Sequence, residues 1–296
     1  MTTSVGGIAP AEPPARAGLG ALLMLASAIV ASTLGLSVRL VEDAGGWQII
    51  FYRSLSMAAV VVLYLGLRHR RLLLTRFVSV RWAGVAGGGC MAVATSLGVW
   101  AFLNTTVANV LFIGGTMPFF AGLLGWLVLG ERIRPVTWVA MAIALAGLAI
   151  MTGEGLSRGS YLGDLLALAA MACFAGLIVA MRAGRLRDMT PLLAIGAAFA
   201  AMGAGSLAPT LSISPHDLAV CVVMGAVQSF LAYIMFTIAT RHLRAGEISL
   251  LGISETVFGP IWVWLAVEEV PPGATFVGGA VILVALVAQG LAARRL

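Results

Sequence analysis

Polar residues are sparse along this chain and fall in short clusters, with long apolar runs between them. Ten such runs lie near residues 17–38, 47–67, 82–103, 106–129, 135–152, 161–181, 190–209, 216–240, 246–266 and 272–292. Each approaches the roughly 20 residues that an α-helix needs to cross the hydrocarbon core of a bilayer. The pattern predicts an all-α membrane protein with ten transmembrane helices. Ser214-Pro215-His216-Asp217 has the chemistry of a helix start: a capping hydroxyl, a proline at the first helical position and an acid in the first turn. Residues 1–16 are rich in Pro, Ala and Gly and read as a disordered cytoplasmic tail. They lack the charged start and short apolar core of a cleaved signal.

Composition agrees with that class. The chain is 60% hydrophobic and 10% charged, whereas about a quarter of a soluble globular chain is charged. All 18 basic residues are Arg, and their placement alternates from linker to linker. Arg68, Arg70, Arg71, Arg76 and Arg81 lie between the second and third runs, Arg132 and Arg134 between the fourth and fifth, Arg182, Arg185 and Arg187 between the sixth and seventh, and Arg241 and Arg244 between the eighth and ninth. Arg16, Arg294 and Arg295 flank the termini. The other linkers hold only Arg39 and Arg158 beside Glu42, Asp43, Glu154, Asp217, Glu268 and Glu269. The positive-inside rule then puts both termini in the cytoplasm and the chain in the inner (plasma) membrane.

The net charge of +6 does not imply nucleic acid, because the arginines are scattered over helix ends and form no basic face. Cys90, Cys173 and Cys221 are far apart within apolar runs and read as packing residues, not a disulfide framework. The sequence holds no CxxC, HExxH or P-loop, which argues against metal ligation or ATP hydrolysis by this chain.

Two stretches repeat. Thr116–Pro135 and Ile253–Pro272 are related by an offset of 138 that lays Trp126 on Trp264, Phe120 on Phe258, Glu131 on Glu269 and Thr137 on Thr275. The same offset puts Met117 on Glu255. The chain therefore divides into 17–152 and 161–292. Five helices per half is an odd number, so the halves must insert with opposite orientation. Inverted repeats of this kind place a substrate site between the halves near the midplane.

The second copy, S-E-T-V-F-G-P-I-W-V-W-L-A-V-E-E-V-P followed by T-F-V-G-G-A-V-I-L at Thr275–Leu283, resembles the closing helices of EamA-type carriers of the drug/metabolite transporter superfamily. The first copy, at Pro118–Ile133, resembles the same element of the first EamA repeat, and Phe51-Tyr52-Arg53-Ser54 resembles the second-helix arginine common in the family. The resemblance covers nearly the whole chain. It implies a bundle of ten helices in two inverted repeats that moves small metabolites, often outward. Two positions depart from the family pattern: its Pro near the start of the second-half motif is Thr256 here, and its Gly before the terminal Glu is Glu268.

Several residues are candidates for the work. Arg53 lies six positions after Trp47, about 9 Å along its helix. It is either a planar fork for a substrate carboxylate or phosphate, or a structural cation paired inside the protein or reaching the interface. Glu255 lies eight positions past Glu247, about 12 Å deep, where a carboxylate must be protonated, paired or facing water. It is a candidate for substrate contact or proton coupling, or a cap for backbone broken near Pro260. Gln228, Ser229, Tyr233 and Thr237 form a polar stripe that could equally bond neighbouring helices. Thr33 with Ser32 and Ser37, Trp100 with Thr95 and Ser96, and Tyr52 could line a cavity. The hydroxyls could also bond their own helices. Pro118 and Pro260 are candidate kinks for gating. Asn109 reads as an outer-turn residue.

The leading expectation is a secondary active transporter that exports small polar metabolites such as amino acids by alternating access, with proton coupling as one option. The alternative is a carrier of organic anions or nucleoside-like metabolites. A membrane-embedded enzyme would need a cluster of Asp, His or Lys at one interface, which the sequence lacks. The expected partners are a small-molecule substrate and the lipid bilayer, with a homodimer as an open assembly. No cofactor, catalytic residue or nucleic acid is expected.

Overall fold

The apolar runs are helices in the computed structural model, which describes residues 14–69, 75, 77–78, 80–130, 135–158, 161–183, 189–239, 242 and 245–294. Most of the tail at 1–16, Glu131 and many linker arginines (Arg70, Arg71, Arg76, Arg132, Arg134, Arg185, Arg187, Arg241, Arg244 and Arg295) lie outside the described residues. The helices are α1 (Pro14–Ser32), α2 (Leu34–Arg39), α3 (Gly46–His69), α4 (Arg81–Asn104), α5 (Val107–Gly114), α6 (Met117–Leu129), α7 (Pro135–Arg158), α8 (Tyr161–Ala183), α9 (Thr190–Leu207), α10 (Pro215–Val222), α11 (Phe230–Ala239), α12 (Ala245–Val267) and α13 (Gly273–Arg294). A π-helical segment, Val223–Ser229, joins α10 to α11. Among the described residues, seven spans are long and apolar enough to cross a membrane: Gly18–Arg39, Gly46–Arg68, Arg81–Asn104, Val107–Leu129, Tyr161–Ala183, Thr190–Leu207 and Pro215–Ala239. Pro135–Ile150 and Gly273–Ala288 are shorter apolar helices.

Three spans are interrupted, each for a reason visible in its residues. In the first, Ser32 Oγ donates to Ile29 O at 2.7 Å and Thr33 Oγ1 to Val30 O at 2.6 Å, and the Thr33 amide bonds Val30 O at 3.3 Å. The turn tightens to i−3 pairing, and α1 gives way to α2. In the fourth, Thr116 Oγ1 donates to Ile113 O at 2.6 Å. Pro118, one residue into α6, has no N–H with which to continue the ladder from α5. Pro118 thus opens a helix after a break, whereas Pro260 lies within the unbroken α12. In the Pro215–Ala239 span, Ser229 Oγ donates to Met224 O, five residues back, at 2.8 Å, in the register of the π segment. Ser214 caps α10 by accepting from the Asp217 amide at 3.1 Å.

The linkers after the first, third, seventh and ninth runs gather at one end. Asp217 accepts from the amides of Glu42 and Asp43 at 3.0 Å and of Ala44 at 2.8 Å. Arg39 Nε meets Glu269 Oε2 at 2.7 Å. Packing runs mostly between α3 and α9, α7 and α13, α4 and α8, α4 and α9, α1 and α11, α1 and α12, α6 and α8, and α3 and the π segment. One apolar core, including Ile49, Ile50, Phe112, Ile113 and Met224, lies toward this end. A second is built on Val61, Leu65, Leu192 and Leu193.

The two repeated stretches end alike. Gly130 has φ 68° and its amide bonds Trp126 O at 3.2 Å; Glu268 has φ 54° and its amide bonds Trp264 O at 3.2 Å. The offset of 138 relates both pairs. A left-handed residue closes each helix, a role that suits glycine, and Glu268 holds it at a cost of about 1 kcal/mol. Glu268→Gly is therefore expected to raise the thermal stability of the detergent-solubilised protein, and Gly130→Ala to lower it, each by about 1 kcal/mol; melting curves of the two variants check this.

Candidate functional site

The π segment turns Gln228 and Ser229 toward two other spans. Gln228 Nε2 donates to Thr33 Oγ1 at 2.9 Å and to Ser37 Oγ at 2.7 Å, across the break in the first span. Ser229 Oγ accepts from Arg53 Nη2 at 3.1 Å. Gly225 makes this approach possible: a Cβ there would collide with the Arg53 carbonyl and Ser56 Oγ. Trp262 Nε1 donates to Ser32 Oγ at 3.0 Å, and its ring stacks on Phe258 with centroids 6.1 Å apart. Residues from the first, second, eighth and ninth helical runs thus meet around one helix break.

The polar groups there are incompletely matched. Arg53 Nε and Gln228 Oε1 are buried without a hydrogen-bond partner. Among the described residues no carboxylate pairs with Arg53. Arg53 is left with a free donor and Gln228, one residue before the Ser229 that Arg53 bonds, with a free acceptor, so the two ask for different complements, an acceptor and a donor. Among the described residues no cluster of His, Cys, Asp and Glu could hold a metal ion.

Glu255 lies three residues after Gly252 and four before Gly259, so the three share a helix face. That face packs on α1: Gly252 lies against Met24, and Gly259 against Leu111 and the Ser32 carbonyl. Glu255 is half-buried and has no hydrogen-bond or ion-pair partner among the described residues. Of the other candidates, Thr33 joins Gln228 directly. Tyr52 lies apart, its hydroxyl donating to the Leu211 carbonyl at the linker end. Trp100 packs edge-on against Trp47 at 5.5 Å, with its Nε1 buried and unpartnered. Tyr233 donates to Met181 S at 3.0 Å within the second core.

A second polar group went unread in the sequence. Thr105 Oγ1 and Asn109 Nδ2 donate to Asp164 Oδ1 at 2.8 and 3.1 Å, and Thr275 Oγ1 donates to Asn109 Oδ1. Asn109 lies in the first turn of α5, as expected, and is buried in this cluster. The available signal was Asp164, the lone acid of the run 161–181.

The EamA-like transporter family matches residues 18–153 and 161–288. The pseudopaline exporter CntI of Pseudomonas aeruginosa (strain UCBPP-PA14) is 28% identical over 278 residues, covering 90% of this chain and 94% of that protein. The uncharacterized transporter YwfM of Bacillus subtilis (strain 168) is 24% identical over 257 residues, covering 84% of this chain and 75% of that protein. A solved crystal structure shares the fold with a TM-score of 0.65 at 20% identity, covering 94% of this chain and 99% of that one.

The close approach at Gly225 yields a test of the site's packing. Gly225→Leu should push the π segment off α3, with a loss on the order of 1–3 kcal/mol in thermal stability. Gly203→Ala, where an added Cβ meets nothing within 4 Å, should leave the melting curve unchanged.

Proposed function

Because the chain belongs to the EamA-like transporter family, we propose that it is a secondary active transporter that exports small polar metabolites such as amino acids by alternating access. The observation that carries this is the Arg53 guanidinium, which has no carboxylate partner among the described residues and bonds Ser229, the neighbour in sequence of Gln228, whose buried amide oxygen is also unpartnered. A charge inside a membrane protein costs a few kcal/mol or more unless something compensates it. A carboxylate with an adjacent amine would meet Arg53 and Gln228 together. Glu255, also without a partner, is the residue we assign to proton coupling or to a substrate amine. The name of one relative as an exporter supports the outward direction. That no carboxylate among the described residues matches Arg53 also favours a second reading, an organic anion that needs Arg53 and leaves Glu255 aside.

The architecture we propose is ten membrane helices in two inverted repeats, 17–152 and 161–292. The helix pairings support it. Exchanging each run with its counterpart in the other half turns the α4–α8 pair into the α11–α1 pair and the α6–α8 pair into the α12–α1 pair. It also turns the α4–α9 pair into that of the π segment with α3, and leaves α3–α9 and α7–α13 unchanged. The two family matches, one in each half, support it too. In the orientation proposed here both termini are cytoplasmic, and the end bearing Asp217 and Glu269 is external.

Two experiments test this reading. In proteoliposomes loaded with candidate amino acids, Arg53→Lys should lower counterflow at least about tenfold, since the ammonium lacks the planar fork. Glu255→Gln should retain counterflow and lose accumulation driven by a pH gradient. Equal wild-type rates for both variants in both assays would remove these residues from the mechanism. For orientation, a cysteine replacing the exposed Ser212 should react with an impermeant maleimide added to intact cells. Labelling only in inverted vesicles would reverse the assignment.

A further inference from the structure

We infer that the Arg39–Glu269 ion pair, together with the buried cluster of Thr105, Asp164, Asn109 and Thr275 behind it, is the gate that closes one end of the permeation path. This rests on the transport reading above and extends it to residues outside the central site.

The bonds form one continuous network. Glu269 uses both oxygens: Oε2 takes Arg39 Nε at 2.7 Å, and Oε1 takes the Val107 amide at 2.8 Å, at the N-terminus of α5. Arg39 Nη2 donates to the Thr105 carbonyl at 2.7 Å. Thr105 then passes the network inward through its hydroxyl to Asp164, and Asn109 continues it to Thr275. Arg39, Thr105, Val107 and Asn109 belong to the first half of the chain; Asp164, Glu269 and Thr275 belong to the second. Separating the halves at this end breaks the ion pair and the bonds made by Val107, Asp164 and Thr275.

The hydration gradient across the network is that of a gate. On its outer side a cavity of about 430 Å³ is lined by Arg39, Asn104, Thr106, Asn109 and Glu269, and the Arg39 and Glu269 side chains are 25% and 19% exposed. On its inner side Asp164 is 2% exposed, with Oδ2 unpartnered. No side chain separates α8 from the linker here, since a Cβ on Gly163 would strike the Asn104 backbone. The ion pair is thus partly open to solvent on its cavity side, while Asp164 behind it is closed off. A pair at a wet boundary is reversible: its charges regain hydration when it opens, whereas a fully buried pair would lose far more. Thr33, at the central site, lies six residues down the first run from Arg39, about 9 Å along it. The network therefore stands between the cavity and the central site. Glu269 is aimed inward by the left-handed backbone of Glu268, φ 54°, and strain of this kind is held where a surrounding network over-determines it.

The test uses accessibility, so that it is decided separately from transport. In full-length protein with Cys90, Cys173 and Cys221 replaced by alanine, Thr33→Cys reports entry to the central site. An impermeant maleimide is added from the side that labels Ser212→Cys. Arg39→Ala and Glu269→Gln should each speed labelling at position 33 about tenfold or more, and the double variant no further, because both release one contact. Melting curves confirm that the variants are folded. As a second readout, Arg39→Cys and Glu269→Cys are combined and joined by a short bis-methanethiosulfonate, which forms a disulfide with each thiol as a sulfinate leaves. Joining them should block solute exchange in proteoliposomes while leaving solute-induced thermal stabilisation in place, and reductant should restore exchange. Unchanged labelling in both single variants, or full exchange in the joined protein, overturns the gate. If the protein moves no solute from the panel, the transport reading fails and the labelling rates still decide the gate.

Discussion

A polar group inside a bilayer has no water to bond, so every break in a membrane helix must be completed by the protein itself. That constraint accounts for the irregular features of this chain. Where the first span breaks, the hydroxyls of Ser32 and Thr33 take up carbonyls that the helix frees, and then accept the N–H groups of Trp262 and Gln228. Where the eighth span widens into a π-helix, the Ser229 hydroxyl bonds within the widened turn and also accepts from Arg53. Each break is both a defect repaired locally and a socket for a neighbouring helix.

The same constraint separates two polar layers. At the linker end most donors and acceptors are matched, with Asp164 Oδ2 left open: Asp217 holds three amides, Glu269 holds Arg39 and Val107, and Asn109 is bonded at both ends of its amide. Deeper in, the balance is broken at Arg53 and Gln228, and Glu255 stands without a partner among the described residues. A matched network stabilises one arrangement of the helices, whereas buried polar groups left open favour whatever binds them. The two layers thus fit different tasks, closure at the end and recognition within.

The repeat reaches down to backbone geometry. Gly130 and Glu268 occupy equivalent positions, adopt the same left-handed conformation and bond equivalent tryptophan carbonyls. One copy uses the residue that the conformation favours. The other accepts strain at a position next to the Glu269 ion pair, where a carboxylate has a contact to make.

The sequence by itself determined the all-helical membrane class, the apolar runs and the duplication at an offset of 138, and it singled out Arg53, Glu255 and Gln228 as polar residues inside apolar runs, because hydropathy, charge placement and internal identity are properties of the chain taken in order. It also exposed the capping role of Ser214. Only the tertiary structure decided which polar residues meet. Thr33 and Gln228 are 195 residues apart, and Arg39 and Glu269 are 230 apart, and no local pattern couples such distances. Asn109 stands in the first turn of its helix as the sequence suggested, but its burial was not legible because its partners, Asp164 and Thr275, come from the other half of the chain. Tyr52 shares a helix with Arg53, yet consecutive residues on a helix point about 100° apart, and its hydroxyl goes to a linker carbonyl instead of the central group. The π segment went unread in the sequence: Ser229 bonds Met224 O within it and Gly225 seats it against α3, and the second contact, between helices, exists only once they pack.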